Sequence, residues 1–221
     1  MMAQPAEHWE LEYERGETSR SWFEHEPVQS LRMIATVGIS PQSIIDIGGG
    51  SSRLADALIR CGWSDITVLD VSEIALQTAQ RRLGEAVEKV TWISHDLLTW
   101  VPARCYRVWH DRAVIHFFTE AAQREQYRRA LTGATTVGSI AIVGCFAPDG
   151  PERCSGLPRR PVQPRRNSRA VRPQLATGRR GPRGAQDSQR SHPAFHLGGP
   201  APSDVRTQKS HRPSAIWAAH V

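Results

Sequence analysis

The sequence has 221 residues, 39% of them hydrophobic and 23% charged, which suffices for one α/β domain with a sizeable core and excludes two full ones. Its formal charge of +6 is uneven: residues 1–156 carry 15 basic and 20 acidic side chains, net −5, and residues 157–221 carry 13 and 2, net +11. The globular part is therefore mildly acidic, which speaks against nucleic acid as its partner except through the basic tail.

In chain order, residues 5–38 predict two short helices around the turn-prone Arg15-Gly16-Glu17. The second runs from Val28 to Val37, with Leu31, Ile34 and Ala35 at helical spacing. From Ser43 onward strands and helices alternate. Ser43 to Ile47 is an apolar run ending in glycines, as a buried parallel strand requires. Arg53 to Cys61 reads as a helix with Leu54, Ala57, Leu58 and Cys61 on one face, stopped by Gly62. Ile66 to Asp70 is the second strand. Ser72 is a suitable N-cap for a helix that turns Leu76, Ala79 and Leu83 inward and stops at Gly84. Strands are predicted at Val90 to His95, Tyr106 to His110 and Ser139 to Phe146, with a helix from Thr119 to Leu131 before the last. A turn follows at Ala147-Pro148-Asp149-Gly150. The alternation predicts a Rossmann-like α/β fold: an open, mainly parallel sheet of about five strands with helices on both faces, its ligand crevice at the carboxyl ends of the strands.

Residues 157–221 differ. They hold 12 Arg, 9 Pro and no Glu, and only 10 of 65 are Leu, Ile, Val, Phe or Trp. Such a segment cannot bury enough apolar surface to offset its ordering entropy, so a disordered Arg/Pro-rich tail is expected after a domain at 1–156. The four cysteines show no CxxC pair and no metal spacing, which fits reduced thiols. With no apolar leader at the N-terminus and no run of transmembrane length, a cytoplasmic protein without membrane contact is expected.

The chemistry concentrates at three strand ends. Asp46-Ile47-Gly48-Gly49-Gly50-Ser51-Ser52 joins a strand to a helix, and its glycines allow close approach of backbone to ligand. The turn is not the dinucleotide fingerprint GxGxxG, because position 53 is arginine, and Asp46 stands where a pyrophosphate would have to sit. That disfavours a nicotinamide dinucleotide. Asp70, 22 residues after Gly48 and beside Val71, can accept both hydroxyls of a ribose. Asp96-Leu97, after the third strand, can meet an adenine amino group. Together the three fit a nucleoside that bears an amino acid and no phosphate.

These segments resemble the motifs of class I S-adenosylmethionine-dependent methyltransferases. Asp46 to Ser52 is similar to the glycine-rich motif, Asp70 to the ribose-binding acid, Asp96-Leu97 to the adenine-side acid, and His110 to Phe118 to the segment after the fourth strand. His8-Trp9-Glu10…Tyr13 and Ser21-Trp22-Phe23 resemble the N-terminal stretches of small bacterial members. The resemblance runs from about His8 to Pro158. It implies S-adenosyl-L-methionine as cofactor, held by Asp46, Gly48, Gly49, Gly50, Asp70, Val71, Asp96 and Leu97, with Trp22 at the mouth. It implies transfer of a methyl group to a small-molecule or protein acceptor, with Asp111 and His116 as candidate bases and no metal. The sequence departs from the family at Ser52, where a third glycine is usual, and at Arg107, where an acid is common. The family's last two strands have no counterpart. The abrupt change near Arg159, into residues with GC-rich codons, is expected of translation in a shifted reading frame, which would leave an incomplete sheet and impaired activity. The alternative is a non-catalytic cofactor-binding remnant whose basic tail binds nucleic acid.

Overall fold

The structure is a computed structural model that describes residues 6–16, 23–145 and 152–160, and the backbone of 169–170 and 215–220. These residues fall within one compact unit, 1–171 with 210–221; a second unit, 172–209, lies outside the described residues.

Two helices come first, α1 (Ala6–Glu14) and α2 (Val28–Thr36). Alternation then begins with β1 (Ser43–Ile47), α3 (Leu54–Arg60), β2 (Asp65–Asp70), α4 (Glu73–Leu83) and β3 (Val90–Ser94), and continues with β4 (Val108–Arg112), α5 (Ala121–Gly133) and β5 (Ile140–Cys145). Strands β1 to β5 are all parallel to one another. Ser72 caps α4 by accepting the Ala75 N–H, as its position suggested, while α5 opens with a reciprocal pair between Glu120 and Gln123.

Because side chains alternate across a strand, β1 feeds two cores at once. Ile44 packs with Leu54, Leu58, Ile66 and Ile142 under α2 and α3. Ile45 and Ile47 pack with Leu69, Trp109, Tyr127 and Ala130 under α5. Both faces of β1 are covered, which is why its sequence is almost uninterruptedly apolar.

Two expectations are corrected. The fourth strand lies two residues further along than Tyr106 to His110. Tyr106 donates its N–H to the Ala134 carbonyl (2.7 Å) and so belongs to the approach, while Asp111 and Arg112 become strand residues. The sheet also does not stop at β5. Two short strands, β6 (Arg153–Cys154) and β7 (Leu157–Pro158), form a hairpin of their own, turned by Ser155 and Gly156, both at positive φ as a type I′ turn requires. Beyond them, β8 (Arg169–Ala170) and β9 (Ala215–His220) join the main sheet, whose order is β3-β2-β1-β4-β5-β9-β8. Strand β9 pairs antiparallel with β5 from Ile140↔His220 to Cys145↔Ala215. The expectation of a sheet lacking its last two strands overlooked the apolar run Ala215-Ile216-Trp217-Ala218-Ala219, which disappears when composition is averaged over the whole basic segment. An open strand edge is a pairing template for such a run. Arg159, expected in the tail, is buried. The turn expected at Ala147 to Gly150 lies outside the described residues. Among those described, no helix is long and apolar enough to cross a membrane.

Candidate active site

Strand order reverses between β1 and β4, and the crevice of an open α/β sheet lies at the carboxyl ends of the strands flanking such a reversal. A cleft open to solvent at its mouth occupies that place. Its floor is the turn after β1. Gly48 and Gly50 have φ of +61° and +46°, and the Gly48 N–H is held by the Leu69 carbonyl (2.7 Å). The turn has no room for side chains. A Cβ on Gly50 would lie 2.2 Å from the Tyr13 hydroxyl, and one on Gly49 would lie 2.7 Å from Asp46 Oδ2. At its far end Arg82 donates to the carbonyls of Ser51 (2.9 Å) and Ser52 (2.8 Å) while pairing with Asp56.

Asp70 ends β2 and lines the cleft. Its Oδ1 accepts the Ser72 N–H (2.8 Å), and its other oxygen points toward Gly50. Burial pushes its carboxyl up to about 7; the Ser72 N–H opposes the shift and the charge of Asp46 adds to it. Asp70 thus has strong reason to receive donors from a ligand. Asp96 stands half-buried across the cleft, with Oδ1 accepting the Leu98 N–H (2.9 Å).

The structure brings Gly48, Asp70, Val71, Asp96 and Leu97 together on the cleft wall. Asp46 lies behind the glycine turn, buried, with Oδ1 accepting from His110 Nδ1 (2.7 Å). Gly49 and Gly50 complete the turn without being part of the wall. Trp22 lies outside the described residues. Neither Asp111 nor His116 faces the cleft. Asp111 is fully buried, and accepts from the Val114 N–H (2.8 Å), the Ile115 N–H (3.2 Å) and the Tyr127 hydroxyl (2.8 Å). Burial raises its carboxyl to about 6. His116 is likewise buried, and burial, helped by the Arg159 charge, lowers its imidazole to about 3. The two-residue displacement of β4 accounts for Asp111: a residue expected in a loop at the crevice became a strand residue facing α5.

Sequence reasoning placed Trp22 at the mouth and assigned no role in covering the cleft to α1. Trp9 and Tyr13, one turn apart on α1, line it together with Phe117 and Cys154. Helix α1 is docked by polar contacts at two points. Glu10 accepts the Ser72 hydroxyl (2.7 Å) and the N–H groups of Glu73 (2.7 Å) and Ile74 (3.2 Å) at the start of α4. His8 donates to the Ser155 carbonyl in the β6–β7 turn (3.1 Å). The spacing Trp9…Tyr13 was a visible signal, but the partners of Glu10 lie more than 60 residues away. Arg112 also reaches the cleft, paired with Glu24 at 2.9 Å.

Residues 44–134, from β1 through α5, match the model of a methyltransferase domain family. The crystal structure of the glycopeptide N-methyltransferase MtfA complexed with S-adenosyl-L-homocysteine is 19% identical, with a TM-score of 0.51 over 58% of this chain and 56% of that one. A second structure of MtfA is 14% identical, with a TM-score of 0.50 over 67% of this chain and 64% of that one. The chain therefore spans less than two thirds of the length of these structures. No curated protein matches the sequence. Residues 44–134 are thus similar to a methyltransferase domain family, and the architecture shares its fold with the methyltransferase MtfA.

Proposed function

We propose that the cleft binds S-adenosyl-L-methionine and that the chain transfers its methyl group to a small-molecule or protein acceptor. The observation that carries this reading is Asp70, a buried carboxylate in the cleft, raised in pKa and placed where a ribose can donate two hydroxyl hydrogens. The donor set fits the cofactor. Leu69, Val71 and Leu97 offer apolar wall to a base and sugar, and the carboxylates of Asp70 and Asp46 stand beside the glycine turn. A phosphate-bearing dinucleotide would meet Asp70 and Asp46 at close range.

The cofactor supplies an activated methyl group on a sulfonium, so the protein's part is proximity and alignment. In this reading Asp70 fixes the ribose, Asp96 and Leu97 the adenine, and the Gly48–Gly50 turn the amino-acid end. Trp9, Tyr13 and Phe117 exclude water from the acceptor side. Asp111 acts as a strut: its donors orient the segment after β4, which carries Val114 into contact with the Gly48 turn. His116 stays neutral in the core, and the acceptor group arrives already nucleophilic.

We keep as part of the proposal a cytoplasmic location, in line with a sequence that has no CxxC pair. We also keep the origin of residues from about 159 onward in a shifted reading frame, with weakened turnover; the nucleotide sequence decides that point. The net charge of +11 on residues 157–221 favours one further reading, a remnant that binds cofactor and nucleic acid without turnover. Calorimetry with S-adenosyl-L-methionine, S-adenosyl-L-homocysteine and NAD tests the cofactor: the first two bind and NAD does not. Loss of binding in Asp70→Ala locates the site, and unchanged affinity in that variant sinks the ribose assignment.

A further inference from the structure

Behind the glycine turn, three polar side chains from three elements form a chain of hydrogen bonds inside the apolar core. Ser30 lies on α2, His110 on β4 and Asp46 on β1, and they are 2%, 3% and 4% exposed. His110 Nδ1 meets Asp46 Oδ1 at 2.7 Å, and His110 Nε2 meets Ser30 Oγ at 2.9 Å. Asp46 and His110 are register partners on adjacent parallel strands. An ionised carboxylate only accepts, so Nδ1 carries a proton, and in the neutral ring Nε2 accepts the Ser30 hydroxyl hydrogen.

The order Ser–His–Asp is that of a hydrolytic triad, but Ser30 does not line the cleft, and no acyl group can reach it. The chain leads in the other direction. The second oxygen of Asp46 lies against Gly49, so closely that a Cβ there would be 2.7 Å from it. The turn therefore rests on the Asp46 carboxylate, His110 sets the rotamer of Asp46, and Ser30 sets the ring of His110. A sheet interior needs none of this. Ile44 and Ile142 fill nearby places with apolar side chains, and removing charges from water is costly unless geometry repays it.

We propose that His110 is a positioning residue for cofactor binding, acting through Asp46 on the Gly48–Gly50 turn, with Ser30 as the anchor that ties the turn to α2. The proposal rests on the cofactor reading above. In it His110 touches no ligand; the Nδ1–Asp46 bond is the functional link and the Nε2–Ser30 bond supports it.

The two ring nitrogens allow the links to be cut separately. Asn at 110 places an N–H donor near the Nδ1 position and cannot reach Ser30. Gln reaches toward Ser30 and loses the Nδ1 geometry. Phe keeps the volume and loses both. Dissociation constants for S-adenosyl-L-homocysteine are measured by calorimetry on the full chain, with melting temperatures alongside. In His110→Phe and His110→Gln the constant rises about 10- to 100-fold, the range that applies when groups orienting a metal ligand are removed. In His110→Asn it stays within about threefold of the unmodified chain, although the melting temperature falls because Ser30 loses its partner. Ser30→Ala, the mildest change, raises the constant by about threefold and keeps the assay informative if the Phe variant fails to fold. Affinity that falls equally in the Asn and Phe variants, or that stays unchanged in Phe and Gln variants that fold, overturns the proposal. If the unmodified chain itself binds neither S-adenosyl-L-homocysteine nor S-adenosyl-L-methionine, the cofactor reading fails first, and the melting temperatures then report packing alone.

Discussion

On the proposed reading, Asp70 makes cofactor affinity depend on pH in a definite direction. Its carboxyl titrates near 7 in the folded protein because burial penalises the charge, against an ordinary value of 3.8. A group raised in this way favours the folded state when protonated, so its contribution to stability is fully present below 3.8 and is lost as pH rises through 7. A ribose reverses the preference, because its hydroxyls donate to the ionised form. Binding therefore releases a proton below pH 7, and affinity rises with pH and levels off above it. With a midpoint of 7 the ionised fraction is about 0.9 at pH 8 and about 0.1 at pH 6, so the dissociation constant for S-adenosyl-L-homocysteine falls about tenfold from pH 6 to pH 8. Asp70→Asn removes the charge while keeping the shape. Losing one charge-assisted hydrogen bond costs about 1.5–3 kcal/mol, so binding at pH 8 weakens by roughly 10- to 150-fold, and the pH dependence flattens. Calorimetry from pH 6 to 8.5 in buffers of different ionisation enthalpy counts the proton directly. A flat profile in the unmodified chain, or a slope that survives in Asp70→Asn, refutes the reasoning.

Three other outcomes are expected. Tyr127→Phe leaves Trp109 Nε1 without its acceptor and removes one of the two donors to Asp111 Oδ2, and chemical denaturation should show a loss of about 1–3 kcal/mol. His116, held near 3 by burial and by Arg159, favours the folded state when neutral. Its contribution is therefore present above 6.5 and is lost as pH falls toward 3, at up to about 1.4 kcal/mol per pH unit, and His116→Gln should flatten the acid limb of the stability profile. Glu10→Ala removes three acceptor contacts at the start of α4; α1 should become open to limited proteolysis, with S-adenosyl-L-homocysteine binding weakened as its cover is lost, and equal protection in the variant would show that Trp9 and Tyr13 hold α1 unaided.

The parts of the fold that were legible in the sequence are those whose cause is local. Apolar runs bounded by glycine placed β1 and β2, and Ser72 declared the start of α4 because a cap acts within three residues. The glycine turn and Asp70 were legible for the same reason: their chemistry sits at a strand end, and strand ends could be read. Strand β4 was misplaced because Tyr106 and Arg107 suit a strand as well as Val108 does, and only the distant Ala134 carbonyl takes Tyr106 away. That error of two residues moved Asp111 from an expected loop into the core and concealed the pairing of His110 with Asp46, which follows from strand register alone. The role of α1 was hidden because it depends on Ser72, Ser155 and Phe117, none of them near it in the chain.

The far side of the sheet obeys a weaker rule. Strand β9 joins β5 over six residue pairs through backbone hydrogen bonding, and a ladder asks little of sequence beyond the absence of proline and a tolerance for extended geometry. Ala215 to His220 meets those terms. Pairing at an open edge is thus available to a short apolar run whatever its origin, so the presence of β9 in the sheet is compatible both with a native C-terminal strand and with the proposed shift of frame. The cleft side differs, because there each position demands a particular residue: glycine where Tyr13 and Asp46 leave no room, aspartate where the Ser72 N–H is met, histidine where two hydrogen bonds meet at opposite ring nitrogens. The cleft formed by β1, β2 and β4 therefore carries the functional information of this chain, while the strands beyond β5 complete the sheet without specifying what it binds.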